Sequence, residues 1–245
     1  MDEARGPARA AWLILALVVY GPPAVQAQTR TYVGSWLGLP VADVTIAHSP
    51  QDSLRQSHYR VRTRTWLNPF YSVDNQYWIF QDTLTGQVVR YRKQILERNR
   101  RREFETQYRF DLGQVVYSNG ATRPLEPGDQ GLFSALQWVE SYGWQSGQEQ
   151  ELVVEVEGVF WQVTAWREEV GQSADSLSTV ALVTARFERQ LRGEPVLSST
   201  DVLTALLPGP EHELRFELDL ERRLVLALEF GSLPFVVRAR LVPDD

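Results

Sequence analysis

The chain has 245 residues, of which 43% are hydrophobic and 23% charged, and its formal net charge is −6. This length suits one large β domain or two small ones, and the acidic balance argues against a nucleic-acid partner, which would select a basic surface. There is no cysteine, so disulfides, thiol nucleophiles and thiolate zinc sites are excluded.

The N-terminal residues have the layout of a secretory signal peptide. Arg5 and Arg9 precede an apolar run, 11–20, which a Gly-Pro-Pro break and a Val-Gln-Ala segment follow. A run of this length is too short to cross a bilayer, which takes about 20 apolar residues. We therefore predict a signal peptide at 1–27 and a single exported, periplasmic domain at 28–245 without a membrane-spanning segment.

Charge is distributed unevenly along the mature chain. Residues 28–125 carry 14 Arg and Lys against 8 Asp and Glu, a net charge of 14 − 8 = +6, whereas residues 126–245 carry 9 against 21, a net charge of 9 − 21 = −12. We interpret the two stretches as halves of one domain that lie side by side and partly neutralise each other.

Alternation of apolar and polar residues, which is typical of β-strands, dominates the chain. It begins clearly at 58–66, continues at 104–112 and in the two halves of a hairpin around Gly158, and ends in a meander at 214–242. About twelve strands in antiparallel order are predicted. In the aromatic-rich stretch 66–80, two strand pieces are expected on either side of the Asn-Pro pair, because proline cannot donate to a strand ladder.

Two helices are predicted between the strands. Asp129 is a suitable N-cap for the first, and Gly143 is expected to end it. Its apolar stripe consists of Leu132, Phe133, Leu136 and Val139. A shorter helix is predicted at 201–207, before Pro208. These elements predict a mostly β protein in which a large curved antiparallel sheet, half-barrel-like, wraps one α-helix, with one short helix in addition.

Three segments carry a resemblance to a known family: PFYSVD at 69–74, DTLTG at 82–86 and SAL at 134–136. With the order of the other features, they make the chain similar to the exported bacterial family called domain of unknown function 3108. The resemblance extends over nearly all of the mature chain and is lost at 170–178. It implies a β-rich envelope protein, reminiscent of lipoprotein carriers in architecture, and it brings no catalytic residues with it.

Residues for catalysis or metal binding are few. The histidines are His48, His58 and His212, and none has the i, i+4 spacing of a zinc helix. In the segment 34–38, the serine stands one place too early for a nucleophile elbow. We therefore predict no catalytic residue, no metal and no cofactor, and a hydrolase is a remote alternative.

Rows of arginines are the strongest indication of a binding site. Three share one face of the strand at 58–66 and two share a face of the strand near residue 90, so neighbouring strands in register would form one patch beside two tryptophans. Guanidinium groups bind carboxylates and phosphates and stack on aromatic rings. The candidate ligand-binding residues are Trp66, Phe70, Trp78, Arg60, Arg62, Arg64, Arg90 and Arg92. The alternative is that these arginines pair with carboxylates across the strands.

Two functions remain open at this point. The first is a non-catalytic periplasmic protein that binds a hydrophobic or amphipathic anionic ligand, such as a lipid, between the sheet and the helix. The second is an envelope assembly or protein-interaction module that docks a protein partner. A continuous apolar cavity beside the helix would favour the first function, and a filled interior would favour the second.

Overall fold

The computed structural model describes residues 28–51, 53–168, 180–197, 201, 204, 213–231 and 236–243. Within these residues, one open, curved sheet of fifteen strands surrounds a single α-helix, α1 (Leu132–Ser141). The strands are β1 (Gln28–Trp36), β2 (Leu39–Gln51), β3 (Leu54–Thr63), β4 (Asp74–Asp82), β5 (Val88–Glu97), β6 (Arg100–Arg109), β7 (Gln114–Tyr117), β8 (Thr122–Pro124), β9 (Asp129–Gly131), β10 (Glu149–Val156), β11 (Val159–Arg167), β12 (Val180–Gly193), β13 (Glu213–Asp219), β14 (Leu224–Gly231) and β15 (Val237–Leu241). The predicted fold class, a large curved sheet wrapping one helix, is confirmed.

The sheet is ordered β8-β7-β6-β5-β4-β3-β2-β1-β15-β14-β13-β12-β11-β10-β9. The first strand therefore lies at its centre, between β2 and β15, and neighbouring strands are antiparallel except β9 and β10. The edge strands β8 and β9 are joined by the short segment 125–128, which holds Pro124 and Asp129 within about 18 Å of each other. The curved sheet thus comes close to closing on itself around the helix.

The helix begins at Leu132, the first residue of its predicted apolar stripe, but its N-cap differs from the predicted one. Asp129 lies in β9, where its carboxylate accepts a hydrogen bond from the backbone N–H of Glu126 (2.6 Å) and pairs with Arg192. Because β9 stays extended along β10 up to Gly131, that glycine is the N-cap, and the predicted Asp129 cap is wrong. The helix ends at Ser141 with Tyr142 as its C-cap, so the predicted terminator Gly143 is the residue directly after the C-cap. The predicted second helix lies outside the described residues except for two of its positions, 201 and 204.

The aromatic-rich stretch 66–80 forms one strand rather than two. The third strand ends at Thr63 and β4 begins at Asp74, and backbone hydrogen bonds such as Phe70 N–H to Leu67 C=O (2.9 Å) fold the residues between them into turns. The predicted strand up to Trp66 is therefore wrong, because local turn bonds replace the ladder there. The hairpin around Gly158 is confirmed by the pairing of β10 with β11.

The concave face of the sheet carries two apolar clusters, and α1 belongs to both. Leu132 and Val139 pack with β10 to β13, while Phe133 packs with the aromatic side chains of β4 to β7. The helix therefore holds the two halves of the curved sheet together. No helix within the described ranges is long and apolar enough to cross a membrane.

Candidate functional site

Three small residues lie side by side at the centre of the concave face. In the strand register, Gly34 of β1 is opposite Ala42 of β2 on one side and opposite Ala239 of β15 on the other. Larger side chains at these positions would reach toward α1, but these three leave the space above the sheet open. They form the floor of a cavity.

The cavity has a volume of about 200 Å³ and lies between this floor and the helix. For comparison, an engineered apolar cavity of about 150 Å³ in another protein binds benzene. The apolar side chains around it are Val44, Ile46, Val61, Leu132, Phe133, Leu136, Leu214, Phe216, Val225, Leu228, Phe230 and Val237. The interior is thus not filled, and the cavity that would favour ligand binding is present.

The helix forms the roof of the cavity through Phe133. The ring centroid of Phe133 lies 5.7 Å from that of Tyr59, 5.6 Å from that of Tyr77 and 5.5 Å from that of Tyr91. Tilted aromatic pairs at such distances contribute beyond their buried area. These contacts fix the position of α1 over β3, β4 and β5, so the cavity has a rigid wall on this side.

One end of the cavity is polar. Arg30 donates a hydrogen bond to Glu140 of α1 (2.7 Å), and His48 Nδ1 lies 2.8 Å from Ser57 Oγ. Burial, and then the negative charge of Glu140, raise the pKa of Tyr59 to about 12, so its hydroxyl stays neutral at physiological pH. This end therefore offers one cation, one anion and neutral hydrogen-bonding groups, whereas the rest of the lining is apolar.

Gln137 of α1 projects between this cavity and a second, polar one. Its amide nitrogen and oxygen are both buried, and neither makes a hydrogen bond of ordinary geometry in the part of the chain that the structure describes. The second cavity, of about 610 Å³, is lined by residues such as Gln81 and Asp129. The amide is close enough to the Tyr59 hydroxyl to lower the pKa of that tyrosine, but a buried amide with unused hydrogen-bonding capacity is costly, so Gln137 is a candidate for hydrogen bonding to a bound molecule.

The histidine at the polar end predicts a dependence of stability on pH. Burial, and then the positive charges of Arg30 and Arg55, lower the pKa of His48 from 6.5 to about 4. Between these values the unfolded chain binds a proton that the folded chain does not, so the free energy of unfolding falls as the pH drops from 6.5 to 4. Because the ring is only half-buried, we expect about 1 kcal/mol of this loss between pH 7 and pH 5.

Urea unfolding at the two pH values measures this loss. His48→Gln should show a smaller decline than the wild type, since glutamine has no proton to gain. His58→Gln, on the outer face of β3, provides a control for general effects of losing a histidine. An equal decline in the wild type and His48→Gln would contradict the assignment.

The contact between His48 and Ser57 lacks the carboxylate that completes a catalytic triad. Ser57 is fully buried, and within the described residues no carboxylate hydrogen-bonds to the histidine. The nearby charges that act on His48 are arginines, which lower its pKa, whereas the carboxylate of a catalytic triad stabilises the protonated ring. In the same part of the chain, no three His, Asp or Glu side chains lie close enough to hold a metal ion.

The arginines and aromatic residues that were predicted to bind a ligand are not among the residues that line this cavity. Tyr59, Val61 and Tyr77 point into it, so their neighbours on β3 and β4 face outward by the alternation of the strands. The eight residues are Trp66, Phe70, Trp78, Arg60, Arg62, Arg64, Arg90 and Arg92. Their role in ligand binding stays a prediction, now for the outer surface.

The two arginine rows do not form one patch. The fourth strand lies between β3 and β5, so the condition for a single patch, that the two strands are neighbours, is not met. Arg60 makes two hydrogen bonds of 2.7 Å to Asp74, and Arg64 pairs with Asp43 (2.9 Å). Pairing of arginines with carboxylates across strands, the alternative named above, is thus what the structure shows for these two.

The arginine side chains of β5 lie over aromatic rings of β4. The guanidinium of Arg90 lies 4.0 Å from the ring centroid of Phe80, and that of Arg92 lies 5.6 Å from Trp78 and pairs with Glu103. Trp78 in turn stacks on His58 with the centroids 5.0 Å apart. These contacts form a continuous outer surface in which cations cover apolar rings.

Sequence reasoning missed a buried charged cluster. Lys93, the only lysine of the chain, is 2% exposed, and its Nζ donates to Glu157 and to Asp201, the latter at 2.9 Å. Tyr77 donates to Asp201 (2.8 Å), and Thr204 Oγ1 lies 2.9 Å from the same carboxylate. Burial by itself raises the pKa of Asp201, but Lys93, the Thr204 N–H and the Tyr77 hydroxyl outweigh it and lower that pKa.

A second buried carboxylate lies near this cluster. Glu155 accepts hydrogen bonds from Tyr108 (2.7 Å), Tyr117 (2.9 Å) and the backbone N–H of Gly158 (2.7 Å), and burial raises its pKa. The sequence contains one signal for these groups: Lys93 occupies an inward position of β5, where the alternation calls for an apolar residue.

Comparison with known proteins adds information about the fold. No family model matches the chain, and no curated protein matches it. Three chains of solved structures match, and one is a beta-barrel-like protein of domain of unknown function DUF1849 from Brucella abortus. It has a TM-score of 0.54 and 13% identity over 88% of this chain and 95% of that chain. At this identity the likeness concerns the fold alone, and membership in the family of domain of unknown function 3108 stays a prediction.

Proposed function

We propose that this protein is a non-catalytic binding protein that holds a hydrophobic or amphipathic molecule, such as a lipid, between its curved sheet and α1. The apolar cavity of about 200 Å³ above Gly34, Ala42 and Ala239 carries the proposal. A site of this kind, concave and apolar with a few polar groups at one end, is the usual form of a small-molecule site. The signal-like N-terminus supports the proposal that this binding protein acts in the periplasm.

The polar end of the cavity favours one kind of head group. An anionic head group would compete with Glu140 for Arg30, whereas a hydroxyl or amide group would bond with Gln137 and leave the ion pair intact. Opening a partly buried ion pair leaves a charge without its partner, which is unfavourable. We therefore propose an acyl chain with a neutral hydrogen-bonding head group as the better ligand, and a fatty carboxylate as the weaker one.

Two measurements test the function. Protein purified from its native host under mild conditions is extracted with organic solvent, and the extract is analysed by mass spectrometry for bound lipid. Purified protein is then titrated with a fluorescent acyl probe, and a long-chain monoglyceride and the matching fatty acid compete for it. We expect a bound lipid in the extract and stronger competition by the monoglyceride.

A variant separates the two head groups. Glu140→Gln leaves Arg30 without its anionic partner, so it should strengthen competition by the fatty acid and leave that by the monoglyceride nearly unchanged. Protein that is empty after purification, binds no probe and shows no thermal shift with either lipid would overturn the proposal. In that case the interaction module, the second function considered from the sequence, would become the better interpretation.

A further inference from the structure

Three connections meet at one end of the sheet. Antiparallel order brings the β1–β2 turn, the β3–β4 loop and the β5–β6 turn to the same end. We call residues 37–43, 62–74 and 97–102 the basic tip. Because β1 runs toward this tip from Gln28 to Trp36, Arg30 and the polar end of the cavity lie far from it.

Large apolar side chains are exposed on the basic tip. Leu37 is 69% exposed, Trp66 is 50% exposed and Phe70 is 73% exposed. Trp66 Nε1 donates to the backbone oxygen of Pro40 (3.1 Å), and the backbone N–H of Arg98 donates to the backbone oxygen of Ser72 (2.8 Å). These bonds tie the three connections into one surface. Contiguous exposed apolar residues mark sites that contact a membrane or another protein.

The backbone of the β1–β2 turn supports a role for this surface. Leu37 has φ of 50°, a left-handed conformation that Gly, Asn or Asp adopts at lower cost. Leu37 also exposes its apolar side chain at this turn, so it contributes little to the core. Such strain tends to occur where function requires it.

Charge identifies the kind of partner. The basic tip carries six arginines against three carboxylates, a net charge of 6 − 3 = +3, although the whole chain has a net charge of −6. The opposite end also exposes apolar residues, Leu84 at 92% and Leu112 at 58%. Three of the connections there, at 82–87, 109–113 and 219–223, carry three arginines against four carboxylates, a net charge of 3 − 4 = −1.

We propose that the basic tip docks the protein onto an anionic lipid bilayer. Tryptophan and arginine together are typical of membrane interfaces, where the ring lies at head-group depth and the guanidinium contacts phosphate. Apolar side chains on two of the three connections can insert between lipids and the arginines of the third can contact phosphate, while a protein partner would need a broader complementary face. This step rests on the proposed function: a lipid that enters the cavity from the docked leaflet would keep its head group directed away from the membrane toward Arg30.

Vesicle co-sedimentation tests the docking. The mature protein is mixed with equimolar phosphatidylglycerol and phosphatidylcholine vesicles, or with phosphatidylcholine alone, at low and at high salt. We expect binding to the anionic vesicles only, weakened by salt because screening shortens the range of the attraction. Trp66→Ser with Phe70→Ser should lower the fraction bound about tenfold, and so should Arg98→Glu with Arg100→Glu.

Matched variants at the opposite end serve as controls. Leu84→Ser with Leu112→Ser removes equally exposed apolar residues, and Arg222→Glu with Arg223→Glu reverses the same number of charges; both should bind anionic vesicles like the wild type. Absence of binding to anionic vesicles, or equal loss in the controls, overturns the docking, as does a basic tip that crosslinks to a protein instead. Acyl-probe binding is measured on every variant, so failure of docking with an intact cavity is distinguished from failure of the proposed function.

Discussion

Replacing Lys93 with methionine is expected to lower the free energy of unfolding by about 3–5 kcal/mol, because it leaves buried carboxylates without their cation. Both Glu157 and Asp201 lose their hydrogen bond from Nζ, and both are buried. The loss relative to the wild type should shrink as the pH falls, since protons then neutralise the stranded carboxylates. Urea unfolding at pH 7 and pH 4 measures both effects.

Two further variants separate charge from packing at this cluster. Arg92→Met changes the residue just before Lys93 in β5. Arg92 faces outward and pairs with an exposed carboxylate, so this substitution should alter the free energy of unfolding by less than about 0.5 kcal/mol. Lys93→Met combined with Glu157→Gln and Asp201→Asn removes all three charges and should recover most of the loss. If Lys93→Met were as mild as Arg92→Met, the cluster would not hold β5 to the residues around 201.

Filling the cavity with Ala42→Leu and Ala239→Leu is expected to abolish binding of the acyl probe. Both side chains face the space under α1, on either side of Gly34, so two leucines would occupy the volume that the ligand needs. Because they enter open space, the free energy of unfolding should change by less than about 1.5 kcal/mol. Fluorescence titration and urea unfolding of the same preparation give the two quantities.

The control for the filled cavity lies on the same central strands. Thr31 of β1 and Thr45 of β2 are opposite each other in register and face outward, since their neighbours Tyr32 and Val44 line the cavity. Thr31→Leu with Thr45→Leu should therefore bind the probe like the wild type. Normal binding by the filled variant would show that the probe occupies another site, such as the polar cavity beyond Gln137.

Local patterns predicted many elements of this fold but not which elements lie beside each other. The alternation around Gly158 predicted the β10–β11 hairpin, and the apolar stripe predicted α1, because both depend on residues at most a few positions apart. One patch of the arginine rows of β3 and β5 was predicted on the condition that these strands are neighbours, and β4 separates them. The pattern of one strand contains no information about which strand lies beside it, so this prediction could not succeed except by chance.

By itself, the sequence determined that this is a mostly β protein, a curved sheet around one helix, because side-chain alternation follows from backbone geometry over two or four residues. Only the tertiary structure decided where the cavity lies and where the buried charged cluster forms. Gly34, Ala42 and Ala239 become one floor through the pairing of both chain ends in β1 and β15, and Lys93 meets carboxylates 64 and 108 residues away. Contacts over such separations depend on strand order and register, which the whole core sets at once.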